Sequence, residues 1–229
     1  MRKFLFFAVI LVILVAIWHV FFPPKYIWYQ RVEIVVNTPD GPKVGHGDTE
    51  VMLIVPRIKS ALGSQYSWAY WGEAAVVDLG QGRYVFALLA DRTNRWHPDV
   101  LLRRVGKREN ALPPLTAETA RRWHRKVLNL PRPLPIQPGK DIELAAFTDL
   151  SDPSSLVAVN TNADLQNVFG EGVSLGEMTL QIIAPPRSKG AVDAALPWLR
   201  DGVKHFPVNF SETRTFADQV NARNFIRRP

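Results

Sequence analysis

The sequence predicts an α+β protein, a β-rich soluble domain that follows one N-terminal transmembrane helix. Three observations predict it. Phe4 to Phe22 is an uncharged apolar run, the stretch from Tyr26 to Ala90 reads repeatedly as strand, and helical periodicity is confined to a few later segments.

The apolar run, FLFFAVILVILVAIWHVFF, holds nineteen residues with a single polar side chain, His19. At about 1.5 Å per residue it measures roughly 28 Å, close to the hydrocarbon thickness of a bilayer. Pro23 and Pro24 end it, because neither supplies the backbone N–H that a continuing helix needs. Trp18, Tyr26, Trp28 and Tyr29 cluster where such a helix would leave the lipid, in the manner of an interfacial aromatic belt. His19, near the end, reads as an interfacial residue. A removable signal peptide would have a shorter apolar core and small residues at its cleavage site, whereas Val20-Phe21-Phe22-Pro23-Pro24 is bulky and proline-blocked. The expectation is therefore an uncleaved signal-anchor. Arg2 and Lys3 precede the run and Lys25 and Arg31 follow it, so the charge bias is slight. A short basic N-terminus before a long domain places the chain as a single-pass protein of the cell inner membrane. Residues 1–24 are then the cytoplasmic N-terminus and anchor, and 25–229 an extracytoplasmic, periplasmic domain.

The soluble part is long enough to bury a sizeable core, and 47% of all residues are apolar. Eighteen prolines against fourteen glycines then indicate fixed turns and not disorder. With no cysteine, the chain has no disulfide framework, no thiolate metal site and no lipid-attachment cysteine. A net charge of +7 suits anionic partners.

Tyr26 to Asn37 is rich in β-branched and aromatic residues, with Val32, Ile34 and Val36 on one face. Thr38-Pro39-Asp40-Gly41 is a turn: proline presets φ and glycine takes the left-handed position. Lys43 to Val55 completes a hairpin. Tyr66 to Trp71 and Glu73 to Leu79 are further extended segments, and Gly80-Gln81-Gly82 turns the chain into Arg83 to Ala90. EAAVVDL and RYVFALLA are apolar enough for central strands. Asp99 to Val105 is a short helix candidate. Thr116 to Leu130 is a stronger one, with Thr116 as N-cap, Glu118 in the first turn, and Ala120, Trp123, Val127 and Leu130 on one stripe. Pro131-Arg132-Pro133-Leu134-Pro135 stops it, and 131–138 is the expected divide if there are two subdomains. Strands follow at Ile142 to Phe147, Leu156 to Val159 and Ser174 to Ile183, with short helices near Ala163 to Phe169 and Ala194 to Asp201.

Several stretches resemble an uncharacterised family of bacterial single-pass membrane-anchored hypothetical proteins. They are Trp28-Tyr29-Gln30-Arg31 with Thr38-Pro39-Asp40-Gly41, Gly72-Glu73-Ala74-Ala75-Val76-Val77-Asp78-Leu79-Gly80, Phe147-Thr148-Asp149 with Asp152-Pro153, and Phe169-Gly170 with Gly172-Val173. The resemblance implies an anchored β-rich domain and supplies no activity.

The sequence carries no G-x-S-x-G elbow, H-E-x-x-H, Walker loop, G-x-G-x-x-G or S-x-x-K. His46-Gly47-Asp48 and Trp96-His97-Pro98-Asp99 each set a histidine two residues before a carboxylate, a spacing that can orient an imidazole or share a metal. Exposed turns explain both more simply, with Asp99 as an N-cap. Asp141, Glu143, Asp149 and Asp152 form an acidic neighbourhood without EF-hand spacing, as turn-initiating aspartates do. Tyr66, Trp68 and Tyr70 alternate along one face; aromatic faces can stack on sugars, but such large side chains more often fill a core. No catalytic residue, metal ligand or cofactor site is therefore assigned.

Basic residues supply the functional candidate. Arg103, Arg104, Lys107, Arg108, Arg121, Arg122, Arg125, Lys126 and Arg132 crowd together with only Glu109 and Glu118 as acids. Arg121, Arg122, Arg125 and Lys126 share the polar face of the stronger helix and are the expected binding residues; the competing reading is a solvated helix face. Near an anionic surface each such cation adds about 1 kcal/mol, decaying over a Debye length. The expected function is a membrane-anchored envelope binding or assembly module, non-enzymatic, contacting envelope proteins or anionic polymers. The alternative is an envelope enzyme, such as a cell-wall-directed hydrolase using scattered His and Asp groups. Nucleic acid is a poor partner, since no nucleic-acid module is present.

Overall fold

A computed structural model describes residues 2–55, 66–90, 100, 104, 116–185, 189–200, 206–207 and 214–228. The helix expected over Asp99 to Val105 falls outside them apart from two helical positions, Val100 and Arg104; His97 and Asp99 lie outside as well. Helix α1 covers Arg2–Phe21 and carries no acidic residue in its first turn.

The anchor expectation is corrected here. Among the described residues, no helix is long and apolar enough to cross a membrane. Helix α1 begins at Arg2, so the two cations Arg2 and Lys3 belong to it. The transmembrane helix, the signal-anchor and single-pass topology, the periplasmic domain and the inner-membrane localisation lose their basis with it. The interfacial belt is corrected too. Tyr26 and Trp28 are buried in the core of the domain, at 8% and 1% exposure. The β-rich part of the expectation agrees with the structure.

The domain is one ten-stranded, strongly curved sheet, a half-barrel. Strands β1 (Lys25–Thr38) and β2 (Gly41–Ile54) form a long hairpin about the predicted turn. Gly41 there has φ +106°, and the Thr38 hydroxyl donates to its carbonyl at 2.7 Å. β3 (Ser67–Glu73) and β4 (Ala75–Gly80) both pair with β2, β3 along Thr49 to Ile54 and β4 at His46. β5 (Arg83–Ala87) forms a hairpin with β4, and the chain then enters helix α2 (Ala117–Leu128). β6 (Leu134–Pro135), β7 (Leu144–Phe147), β8 (Leu156–Ala158), helix α3 (Asn162–Phe169) and β9 (Ser174–Ile183) follow. Last come short helices α4 (Ala191–Ala195), α5 (Pro197–Arg200) and α6 (Ala222–Phe225), with β10 (Ile226–Arg227). The helix expected over Ala194 to Asp201 is thus broken at Leu196, where Pro197 starts a new turn.

The sheet order is β6-β9-β1-β2-β4-β5-β7-β8, with β3 and β10 off this path. The proline-rich stretch therefore contributes β6 to the same sheet as the strands on either side of it. β4 meets β2 at His46, opposite Val76, and the two backbones lie very close on either side of that pair. A Cβ on Gly45 would lie 2.0 Å from the Val76 carbonyl oxygen, and one on Gly47 would lie 2.4 Å from the Ala75 nitrogen. Only glycine lets the two backbones approach this closely.

Both faces of the sheet are packed. On the concave side, Trp28, Ile34, Val36, Leu53, Val77, Leu144 and Leu180 meet the buried stripe of α2. On the convex side, Phe86, Leu88, Phe147 and Leu156 are covered by Val192, Leu196, Phe206, Val220 and Phe225.

Candidate functional site

Helix α2 begins as its sequence predicts. The Thr116 hydroxyl accepts from the Thr119 N–H at 3.2 Å, Glu118 stands in the first turn, and Arg125 and Lys126 in the last, each complementing the helix dipole. Asn129 closes the C-terminus by donating its N–H to the Arg125 carbonyl at 3.1 Å. Ala120, Trp123 and Val127 are buried, whereas Arg121, Arg122, Arg125 and Lys126 are all exposed. Helical spacing sets Arg121 above Arg125 and Arg122 above Lys126, two rows of cations with about 6 Å between neighbours. Glu118 approaches Arg122 at 3.8 Å across one turn, and both side chains are well hydrated, so the pair neutralises little of the face.

Two side-chain contacts fix the helix on the start of β1. Tyr26 Oη donates to the Ala117 carbonyl at 2.7 Å, and His124 Nε2 lies 2.8 Å from the Ile27 carbonyl. Underneath, the Trp123 ring meets the Trp28 ring edge-on at 5.3 Å, and Trp28 Nε1 donates to Gln30 Oε1 at 3.0 Å. The basic face is thus held rigidly by its apolar underside.

The rest of the basic band divides. Arg132 is exposed beyond the end of α2. Arg104 forms an ion pair with Asp141, whose Oδ2 also accepts from the Gln137 N–H, so it serves the fold. Arg103, Lys107 and Arg108 lie outside the described residues.

His46 and Asp48 are not brought together as a pair. Asp48 is fully buried and takes a bidentate bond from Arg31, Nε to Oδ1 at 2.7 Å and Nη2 to Oδ2 at 2.9 Å. The hydrogen bond to Asp48 raises the Arg31 pKa against the lowering effect of its burial. His46 is exposed and faces Glu33 across the hairpin. The acidic neighbourhood also serves structure. Asp149 accepts from Ser151, Asp152 caps the turn at Ser154, and Asn160 reaches Glu143 at 3.5 Å. No group of three metal-ligating side chains occurs among the described residues. Tyr66, Trp68 and Tyr70 pack against the concave core, Tyr70 almost wholly buried. Burial pushes the Tyr70 phenol up to about 12, and the Arg227 guanidinium lies 4.4 Å above its ring.

Sequence reasoning missed three polar anchors: Arg31–Asp48, Glu73 and His124. The first was within reach. A hairpin that pairs Thr38 with Gly41 also pairs Arg31 with Asp48, so the recognised turn already fixed the partner. Glu73 accepts from the N–H groups of Gly190 (2.7 Å) and Val192 (3.3 Å), far along the chain, and no local pattern announces it. Comparison of the chain with models of protein families, with curated proteins and with solved structures finds no match.

Proposed function

We propose that this protein is a non-enzymatic binding module that holds an anionic partner on the exposed face of α2. The observation that carries this reading is the division of the helix: Ala120, Trp123 and Val127 anchor it, while Arg121, Arg122, Arg125 and Lys126 all reach solvent from one rigid face. With a net charge of +7 the wider field has the same sign and steers anions towards it. The hydrolase reading has lost its better-placed candidate, since both Asp48 oxygens are engaged by Arg31.

The test is binding of the full chain to heparin, a soluble polyanion, across a salt series. Binding is expected at low salt and should fall steeply towards physiological salt, because exposed charges are screened over roughly 8–10 Å. Changing Arg121, Arg122, Arg125 and Lys126 together to Gln should weaken binding at least about tenfold, given about 1 kcal/mol per cation. Stability should stay within about 1 kcal/mol, as at other surface positions. Absence of binding by the unaltered chain at low salt would overturn the proposal. So would a variant that loses stability while binding heparin undiminished.

A further inference from the structure

Helix α1 poses a second question of contact. Phe4, Phe7, Leu11 and Val12 are 63–87% exposed, and Trp18 and Phe22 stack on each other at 4.4 Å while remaining more than half exposed. Contiguous apolar surface on this scale marks a contact site. A linear polyanion bound at α2 would leave it in water.

The connection between the helices narrows the choice. Pro23 and Pro24 lead directly into β1, and the Pro24 carbonyl accepts from the Val55 N–H at 3.2 Å. Tyr26 and Ile27, the residues that hold α2, therefore lie within roughly 18 Å of extended chain from Phe22. The basic face and the apolar helix stand beside the same few residues.

We infer that the anionic partner is a lipid surface, with its headgroups against Arg121, Arg122, Arg125 and Lys126 and its acyl layer receiving the exposed side chains of α1; this rests on the anion-binding reading above. Two modest signals, an apolar insertion and a polybasic patch, together hold a protein at a bilayer more firmly than either alone. Contact from one side suffices, and α1 need not cross the lipid.

The experiment uses the full chain with vesicles of phosphatidylcholine alone and of phosphatidylcholine mixed with phosphatidylglycerol. Flotation measures binding. Quenching by acyl-brominated lipid, read as the difference between the unaltered chain and Trp18→Phe, reports whether Trp18 enters the acyl layer. Expected are flotation with both vesicles and a preference of about tenfold or more for phosphatidylglycerol at low salt. That preference should vanish in the four-Gln variant, and Trp18 should be quenched. Leu11→Gln with Leu14→Gln should abolish flotation on phosphatidylcholine and leave heparin binding intact. An unquenched Trp18, or undiminished flotation of the Leu11/Leu14 variant, would overturn the inference. Heparin binding without any vesicle binding would overturn the lipid surface alone and point to a polymer or an acidic protein. Loss of heparin binding would strike the anion-binding reading itself.

Discussion

The concave and convex faces of the sheet are closed by different means. The concave core comes from strands that follow one another closely. β1 and β2 pair over their whole lengths, and Gly45 and Gly47 let the backbone of β4 lie directly against β2 in the half-barrel. The convex core needs a segment from far along the chain. Residues 189–228 bring Phe206 and Phe225 onto Phe86 and Phe147, with Phe206 and Phe225 stacked at 5.5 Å and Phe86 edge-on to Phe225 at 5.3 Å. Polar pins hold this cover in place. Glu73 caps α4, Asn224 donates to the Ala90 carbonyl at 2.9 Å, and Trp198 donates to the Leu150 carbonyl at 2.9 Å. A sheet face can therefore be closed by curvature, at the cost of side chains where two backbones lie close, or by a strap, at the cost of distant polar contacts.

The sharpest way to break this comparison is Gly47→Ala. Its methyl group would collide with the backbone of β4, which cannot move without opening the concave core, so a loss of about 3 kcal/mol or more is expected in urea unfolding. Tolerance of alanine would show that curvature does not depend on this close approach. Glu73→Ala tests the strap. It removes a buried acceptor shared by two N–H groups and should cost about 2 kcal/mol. Amide exchange should accelerate over residues 189–228 while β1 and β2 keep their protection; uniform acceleration would mean the two cores open as one unit.

The smallest effect concerns Tyr70, which lies in the concave core beneath Arg227 of the strap. Its phenol is raised from the ordinary value near 10 to about 12, so the folded state holds the proton after the unfolded state has lost it. The resulting stability is complete below pH 10 and disappears as pH climbs towards 12. Absorbance titration at alkaline pH should show a late component that is missing in Tyr70→Phe. Titration of every tyrosine near 10 would contradict its burial.

The concave core was largely legible in the sequence, and the reasons are physical. Val32, Ile34 and Val36 alternate, the Thr38–Gly41 turn fixes the register, and Thr116 with the Ala120–Trp123–Val127 stripe specifies a capped amphipathic helix. The exposed position of the four cations followed from that stripe. The convex core was not legible. The described residues of 189–228 form helices of three to five residues and a two-residue strand, too short to show a period, and they pack against β3, β5 and β7. Tyr26 and Trp28 were misread for a related reason. Their closeness in sequence to the apolar run suggested a lipid boundary, but alternation along β1 turns both rings inward beneath α2.

The strap also bears on how the chain is made. Residues 189–228 leave the ribosome after every strand they cover. Until Phe225 arrives to receive the Ala74 N–H on its carbonyl at 2.7 Å, the back of β5 and β7 presents Phe86, Leu88 and Phe147 to solvent as a bare apolar surface. During that interval the nascent sheet is a substrate for holdase chaperones and a hazard for self-association. Slowing translation between β9 and Phe225 should lengthen the interval without altering a single contact of the finished fold.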